Sequence, residues 1–172
     1  MPEEVPVSHS TVSIPTARAH QFRLLARHHE VPAADLLDEF IRGSWDHAGF
    51  EFDLPPFDMP VGRDDATGEQ RVFLSTPGAD VLDFSADQAH AVANGIMALL
   101  AGSASRFVVA ARCAGRPGGL VGERRGRGYT LKIAGNLDGV PRAAVVSLTR
   151  SVANDLARIL EDRASKAAKA VS

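Results

Sequence analysis

Residues 9–45 constrain the fold most, because they place a short alternating segment, a proline and two amphipathic helical patterns in succession. Val12 and Ile14 alternate with polar residues, which predicts a β-strand over residues 9–14. Pro15 ends this strand, since proline lacks the N–H that a β-ladder needs. A unit of this size is too small to bury a core of its own, so we expect it to dimerise.

Two helices are predicted after the proline. Thr16 is the expected N-cap of the first helix, which extends to about His29 with its apolar residues on one face. Pro32 suits the first turn of the second helix, which is expected to end near Gly49. The apolar face of the second helix consists of Leu36, Leu37, Phe40 and Ile41.

The rest of the chain suggests a second domain. Residues 50–70 lose all periodicity and are rich in proline and acidic residues, which predicts an extended linker between domains at residues 1–49 and 71–172. Within the second domain, residues 81–96 match residues 145–160 as a strand that leads into a helix. Each copy follows a further strand candidate and a turn, which predicts two β-hairpin–helix repeats on an antiparallel sheet.

The first third resembles the ribbon-helix-helix family of DNA-binding proteins. The resemblance is carried by residues 11–15, by Phe22, Leu25 and Ala26, and by the apolar face of the second helix. In that family two chains pair their strands into a ribbon that enters the major groove, which implies that His9, Thr11 and Ser13 contact bases. The resemblance also implies that backbone amides of Ala33 and Ala34, at the start of the second helix, bind a phosphate.

Positive charge is concentrated elsewhere. Residues 1–50 hold four arginines and seven acidic residues, a net charge of 4 − 7 = −3, whereas residues 106–132 hold seven basic residues and one acidic residue, a net of +6. The glycine-rich stretch 115–128 therefore predicts a flexible basic arm on DNA phosphates. Its arginines are Arg116, Arg124, Arg125 and Arg127. The alternative is a solvated hairpin whose charges maintain solubility.

Enzymatic signatures are sparse. The sequence has no nucleophile elbow, no His-Glu-x-x-His and no cluster of Cys with His, so we expect no catalytic residue, metal or cofactor. Asp83, Asp87 and His90 could bind a metal, but a solvated helix face is the favoured interpretation. A single cysteine, Cys113, and the lack of a secretory signal or a membrane-length apolar run favour a cytoplasmic protein.

These features predict an α+β protein with an N-terminal ribbon-helix-helix unit that forms a homodimer through its strand. The predicted function is sequence-specific binding of double-stranded DNA, as a prokaryotic transcriptional repressor or a plasmid-maintenance or transfer factor. The alternative is a non-enzymatic dimeric adaptor, whose N-terminal unit only dimerises and whose C-terminal domain binds a partner protein. Binding through basic contacts weakens steeply with salt, whereas an apolar protein interface responds little, so salt distinguishes the two.

Overall fold

The computed structural model describes residues 12–49, 54, 56–126, 128–136 and 139–169. Within these ranges the chain divides into an N-terminal unit, up to residue 49, and a C-terminal unit that begins at residue 54. None of the helices in the described ranges is long and apolar enough to cross a membrane.

The N-terminal unit is a pair of helices, α1 (Thr16–His28) and α2 (Ala33–His47), which we call the helical pair. Each helix follows a proline, Pro15 or Pro32, whose fixed φ suits a helix start. Neither start has a side-chain cap, and Ala26 is the one described residue of the unit that is buried. The helical pair therefore has almost no core of its own.

The predicted fold class is wrong. Residues 12–14 form no strand, so the described chain begins with two helices rather than with a ribbon-helix-helix strand. Residues 9–11 lie outside the described ranges. The physical reason is that a strand needs a partner for its backbone N–H and C=O groups. Each β-strand of the described structure finds that partner in the C-terminal unit, within one sheet.

The C-terminal unit contains a seven-stranded antiparallel sheet in which every strand pairs with the next one along the chain. The strands are β1 (Val61–Arg63), β2 (Gln70–Leu74), β3 (Leu82–Phe84), β4 (Arg106–Cys113), β5 (Arg116–Arg125), β6 (Gly128–Gly135) and β7 (Arg142–Leu148). β1 lies inside the segment that the sequence predicts as a linker. The two predicted hairpins are present as β2–β3 and β6–β7, each followed by a helix, but β1, β4 and β5 join them into one meander of seven strands.

Two helices complete the C-terminal unit. α3 (Ala86–Ala101) connects β3 to β4, and α4 (Arg150–Lys169) follows β7. α3 begins with a capping box, in which the Ser85 hydroxyl accepts from the Gln88 backbone and the Gln88 side chain accepts from the Ser85 backbone. α3 and α4 pack against each other and against the sheet, and they bury alternate residues of its strands. The core therefore lies between the sheet and the two helices.

The glycine-rich stretch is not a loop, because most of it forms β5, paired along its length with β4 and β6. Gly122 in β5 and Gly95 in α3 both lie against the Phe107 ring. A Cβ on either glycine would come within 3 Å of ring atoms, so both positions need a residue without a side chain. These glycines serve packing, whereas the sequence predicts that glycines here approach a phosphate.

Candidate nucleic-acid interface

The alternating direction of the strands brings distant arginines to one end of the sheet. Arg106, the first residue of β4, pairs with Glu123 near the end of β5. Arg125 pairs with Gly128, the first residue of β6, and Tyr129 pairs with Leu148, the last residue of β7. α4 begins two residues later. The start of β4, the end of β5 and the start of α4 therefore share this end, across three strand intervals of about 4.8 Å each.

Four described arginines lie at this end of the sheet, and we call this group of side chains the arginine end. They are Arg106, Arg124, Arg125 and Arg150. All four side chains are exposed; Arg106 and Arg125 expose 61% and 70% of their side-chain surface. Because they come from strand ends and a helix start, their backbones are held by the sheet and by α4. The fold therefore fixes the backbone positions of the cluster, while Arg124 and Arg125, consecutive in β5, extend to opposite faces of the sheet.

One carboxylate accompanies the four guanidinium groups at the paired strand ends. Glu123 lies 3.2 Å from Arg106 Nε and 3.6 Å from Arg125 Nη2, so it is shared between two arginines. Arg124 donates from Nε to the carbonyl oxygen of Gly126 at 3.4 Å. Within the described ranges neither Arg124 nor Arg150 has a carboxylate partner. The side chains at this end thus carry a net charge of 4 − 1 = +3.

The start of α4 adds to this positive potential. The Thr149 hydroxyl accepts from the Val152 backbone N–H at 3.3 Å, which places the helix N-terminus next to Arg150. The first turn of α4 contains no acidic residue. A basic residue in the first turn opposes the helix dipole, so Arg150 gains nothing from the helix that carries it. An anion at this end would interact favourably with both Arg150 and the N-terminus of α4.

Charge is also separated along the C-terminal sequence. Residues 54–87 hold two basic and seven acidic residues, a net of −5, and residues 88–172 hold thirteen basic and five acidic residues, a net of +8. The first range contains β1 to β3, and the second contains β4 to β7 with α4. The part of the chain that holds β1 to β3 is therefore acidic and the part that holds β4 to β7 is basic, a contrast that the chain's net charge of −2 conceals.

The residues in and around β1 to β4 include a chain of alternating charges that we call the charge chain. Its members are Glu69, Arg71, Asp83, Arg112 and Asp64. Successive members are joined at 3.6 Å, 3.2 Å and 3.1 Å, and the last step is an ion pair between Arg112 and Asp64. Asp83 and Arg112 form the one register pair that joins β3 to β4. The charge chain therefore reinforces the shortest strand pairing of the sheet.

The charge chain shifts two pKa values. The hydrogen bond from Arg112 lowers the pKa of Asp64 from 3.8 to about 2, helped by the backbone N–H of Ala66. The same carboxylate, together with Asp83, raises the pKa of Arg112. These charges satisfy one another, so we assign the charge chain to structure and not to ligand binding.

The predicted arginines do not form one group. Arg116 is the first residue of β5 and Arg124 is close to its end, which separates them by about 27 Å at 3.4 Å per residue. Arg124 and Arg125 belong to the arginine end, and Arg127 lies outside the described ranges. The sequence did not point to Arg106 and Arg150. The hairpin turn at Ala114 and Gly115, both with positive φ, is the signal that could have placed Arg106 beside residue 123.

The residues predicted to read bases are placed only in part. His9 and Thr11 lie outside the described ranges, and Ser13 is exposed in a segment without regular structure. Ala33 and Ala34 are the first two residues of α2, where the helix has no side-chain cap. The helix α2 as a whole contains four acidic residues and one arginine, so its net charge is −3.

Two of the three residues weighed as a metal site, Asp83 and His90, have other partners. Asp83 is part of the charge chain, and His90 Nδ1 lies 2.8 Å from Glu161 Oε2. Among the described residues no group of three His, Cys, Asp or Glu side chains could hold a metal ion. An open groove of about 500 Å³ runs between α3 and α4 beside this pair, with Ala93, Met97 and Ala157 in its lining.

No family model matches the chain, and neither the curated proteins nor the solved structures compared with it include a significant match.

Proposed function

We propose that this chain is a double-stranded DNA-binding protein that contacts the phosphate backbone through the arginine end. The observation that carries the proposal is four exposed arginines with one shared carboxylate on a rigid sheet end. Arginine binds phosphate oxygens through two parallel N–H donors, and these contacts provide most of the affinity that does not depend on sequence.

The dimensions of the surface support a duplex partner. Three strand intervals extend about 14 Å, similar to the major-groove width of about 12 Å, so arginines at the two sides can contact phosphates on both borders of a groove. Aromatic residues make up only 6% of the chain, which disfavours a single-stranded partner, because such proteins stack bases on aromatic rings. The proposed class is that of a prokaryotic repressor or a plasmid-maintenance or transfer factor.

The experiment measures binding of a labelled duplex by fluorescence anisotropy over a series of salt concentrations. We expect Arg124→Ala with Arg150→Ala to weaken binding and to reduce the slope of log K against log salt by about 0.9 for each lost phosphate contact. The matched control is Arg116→Ala with Arg142→Ala, which removes the same charge at the opposite end of the sheet. Equal effects of the two pairs would contradict the proposal, since net charge alone would then explain binding.

A second experiment tests whether base sequence is read. Selection of bound fragments from random duplex DNA at two ionic strengths should enrich a short site if the protein is a repressor or a plasmid-maintenance factor. If no site is enriched but DNA binding still weakens with salt as expected, the function would be restricted to binding without sequence preference.

A second candidate function is the dimeric adaptor, and one observation favours it. The helical pair exposes large apolar side chains, which marks a protein-binding surface. An adaptor that works through this surface would bind its partner with little dependence on salt, and the arginine-end variants would leave that binding unchanged.

A further inference from the structure

The helical pair leaves an unusual amount of apolar surface uncovered. Within the described residues Ala26 is 3% exposed, while Phe40 on α2 is 67% exposed. Nine large apolar side chains are exposed around the two helices, and their mean exposed fraction is close to one half: Val12, Ile14, Leu24, Leu25, Val31, Leu37, Phe40, Ile41 and Trp45. Isolated helices of 13 and 15 residues are marginal in water, so packing must come from outside the unit.

We propose that a second copy of the helical pair covers this surface, with α2 of one copy packed on α1 of the other. The proposal does not depend on DNA binding. At about 150 Å² for a large apolar side chain, the nine half-exposed side chains amount to about 700 Å² per copy, which is close to the roughly 800 Å² that a standard stable interface buries on each partner. A second copy is also the one partner that is always present at the same concentration as the chain itself.

The geometry of α2 directs the contact. Leu37, Phe40, Ile41 and Trp45 follow i, i+3, i+4 and i+8 spacing, so they form one apolar stripe along the helix. Asp38, three residues before Ile41 and seven before Trp45, lies beside the stripe, whereas Asp35, Glu39 and Asp46 lie on the other side of α2. The stripe is thus free of carboxylates at its centre, as a helix–helix seam requires.

Charge selects the pairing. α1 contains three arginines and no acidic residue, a net of +3, whereas α2 has a net of −3. Packing α2 against α2 of the partner would bring two helices of like charge within about 10 Å, which is close to the screening distance at 0.1 M ionic strength. Packing α2 on α1 of the partner brings opposite charges together twice, because a two-fold axis repeats each contact. A surface with both signs of charge on separate helices is therefore complementary to itself.

The first experiment truncates the stripe and uses the full-length chain. We expect Phe40→Ala to raise the dimer dissociation constant at least 30-fold in sedimentation, as the loss of a central aromatic anchor does. The control is Val108→Ala, which removes an apolar side chain of similar exposed fraction (63%) from β4, outside the helical pair. Trp45 is the only tryptophan, so its emission reports burial of the stripe as concentration increases. Unchanged association of the Phe40 variant would overturn the proposal.

The second experiment tests the pairing through charge exchange. Variant A carries Arg23→Glu and Arg27→Glu on α1, and variant B carries Asp38→Lys on α2, at the carboxylate beside the stripe. At low salt we expect each variant alone to associate at least tenfold more weakly than the natural chain, and an equimolar mixture to recover association as a heterodimer. If variant B dimerises more tightly than the natural chain, α2 pairs with α2 and the proposed arrangement is wrong. A natural chain that stays monomeric at high micromolar concentration would refute self-association altogether.

Discussion

Replacing Gly122 by alanine tests the packing of the sheet against α3. The added methyl would lie 2.5 Å from Cζ and 2.7 Å from Cδ1 of Phe107, well inside van der Waals contact. Gly95 of α3 also lies against this ring, since a Cβ there would lie 2.5 Å from its Cγ, so α3 limits how far the ring can move away. Overpacking of this kind costs up to about 3 kcal/mol, and the lower entropy of the unfolded alanine chain returns up to about 1 kcal/mol. We expect a net loss of about 2 kcal/mol.

The assay is urea unfolding followed by far-ultraviolet circular dichroism, with Trp45 fluorescence as a separate probe of the helical pair. A loss of 2 kcal/mol lowers the unfolding midpoint by about 1 M for a slope near 2 kcal/mol per M. The matched control is Gly128→Ala, where the nearest atoms are 3.8 Å and 3.9 Å from the added Cβ. Phe107→Leu should relieve the crowding, so the double variant should lose less than the sum of the single losses. Additive losses, or a cost below about 0.5 kcal/mol for Gly122→Ala, would refute the reasoning.

Two further predictions concern stability. Asp64→Asn should flatten the acid limb of the stability curve: the pKa of Asp64 is lowered to about 2 by Arg112, so its contribution is complete above pH 3.8 and is lost as the pH falls towards 2. Urea midpoints measured across that interval check this, and parallel acid limbs for the two proteins would contradict it. Ser85→Ala should cost about 1 kcal/mol, because the hydroxyl and Gln88 cap the first turn of α3 together. Ser105→Ala is its control, and equal unfolding midpoints for the two variants would exclude a stabilising cap.

The helices of the N-terminal unit could be predicted from sequence because their signals are local. The first helix was expected from Thr16 to about His29, and α1 covers Thr16–His28. The second was expected from Pro32 to near Gly49, and α2 covers Ala33–His47. Apolar spacing and the two prolines contain this information within each segment. The strand before them could not be settled in this way, because strand formation depends on a partner that lies elsewhere.

The interpretation of residues 115–128 failed for a related reason. Glycine within a sequence pattern favours a loop, and arginines beside glycines favour a phosphate-binding loop. This stretch is β5 because β4 and β6 pair along it, and Gly122 leaves the space that the Phe107 ring of β4 needs. That requirement comes from β4 and α3, so it is absent from the local sequence. The same applies to Arg106 and Arg150, which are far apart along the chain and meet only through strand pairing.

DNA binding measured as a function of salt responds differently to the two proposals, so each of them can be refuted without the other. A dimer has two arginine ends, and binding through both makes the second contact intramolecular, so affinity rises without any new residue. Loss of arginines at each end reduces the salt slope but leaves the association of the chain intact. Loss of the Phe40 ring should instead leave each arginine end intact. Because the dimer would dissociate, each particle would then bind DNA through one arginine end instead of two. If Phe40→Ala abolishes self-association while DNA affinity and the salt slope stay unchanged, each arginine end binds DNA on its own. If the arginine variants fail to change the salt slope, DNA binding through the arginine end is refuted and the dimer proposal is unaffected.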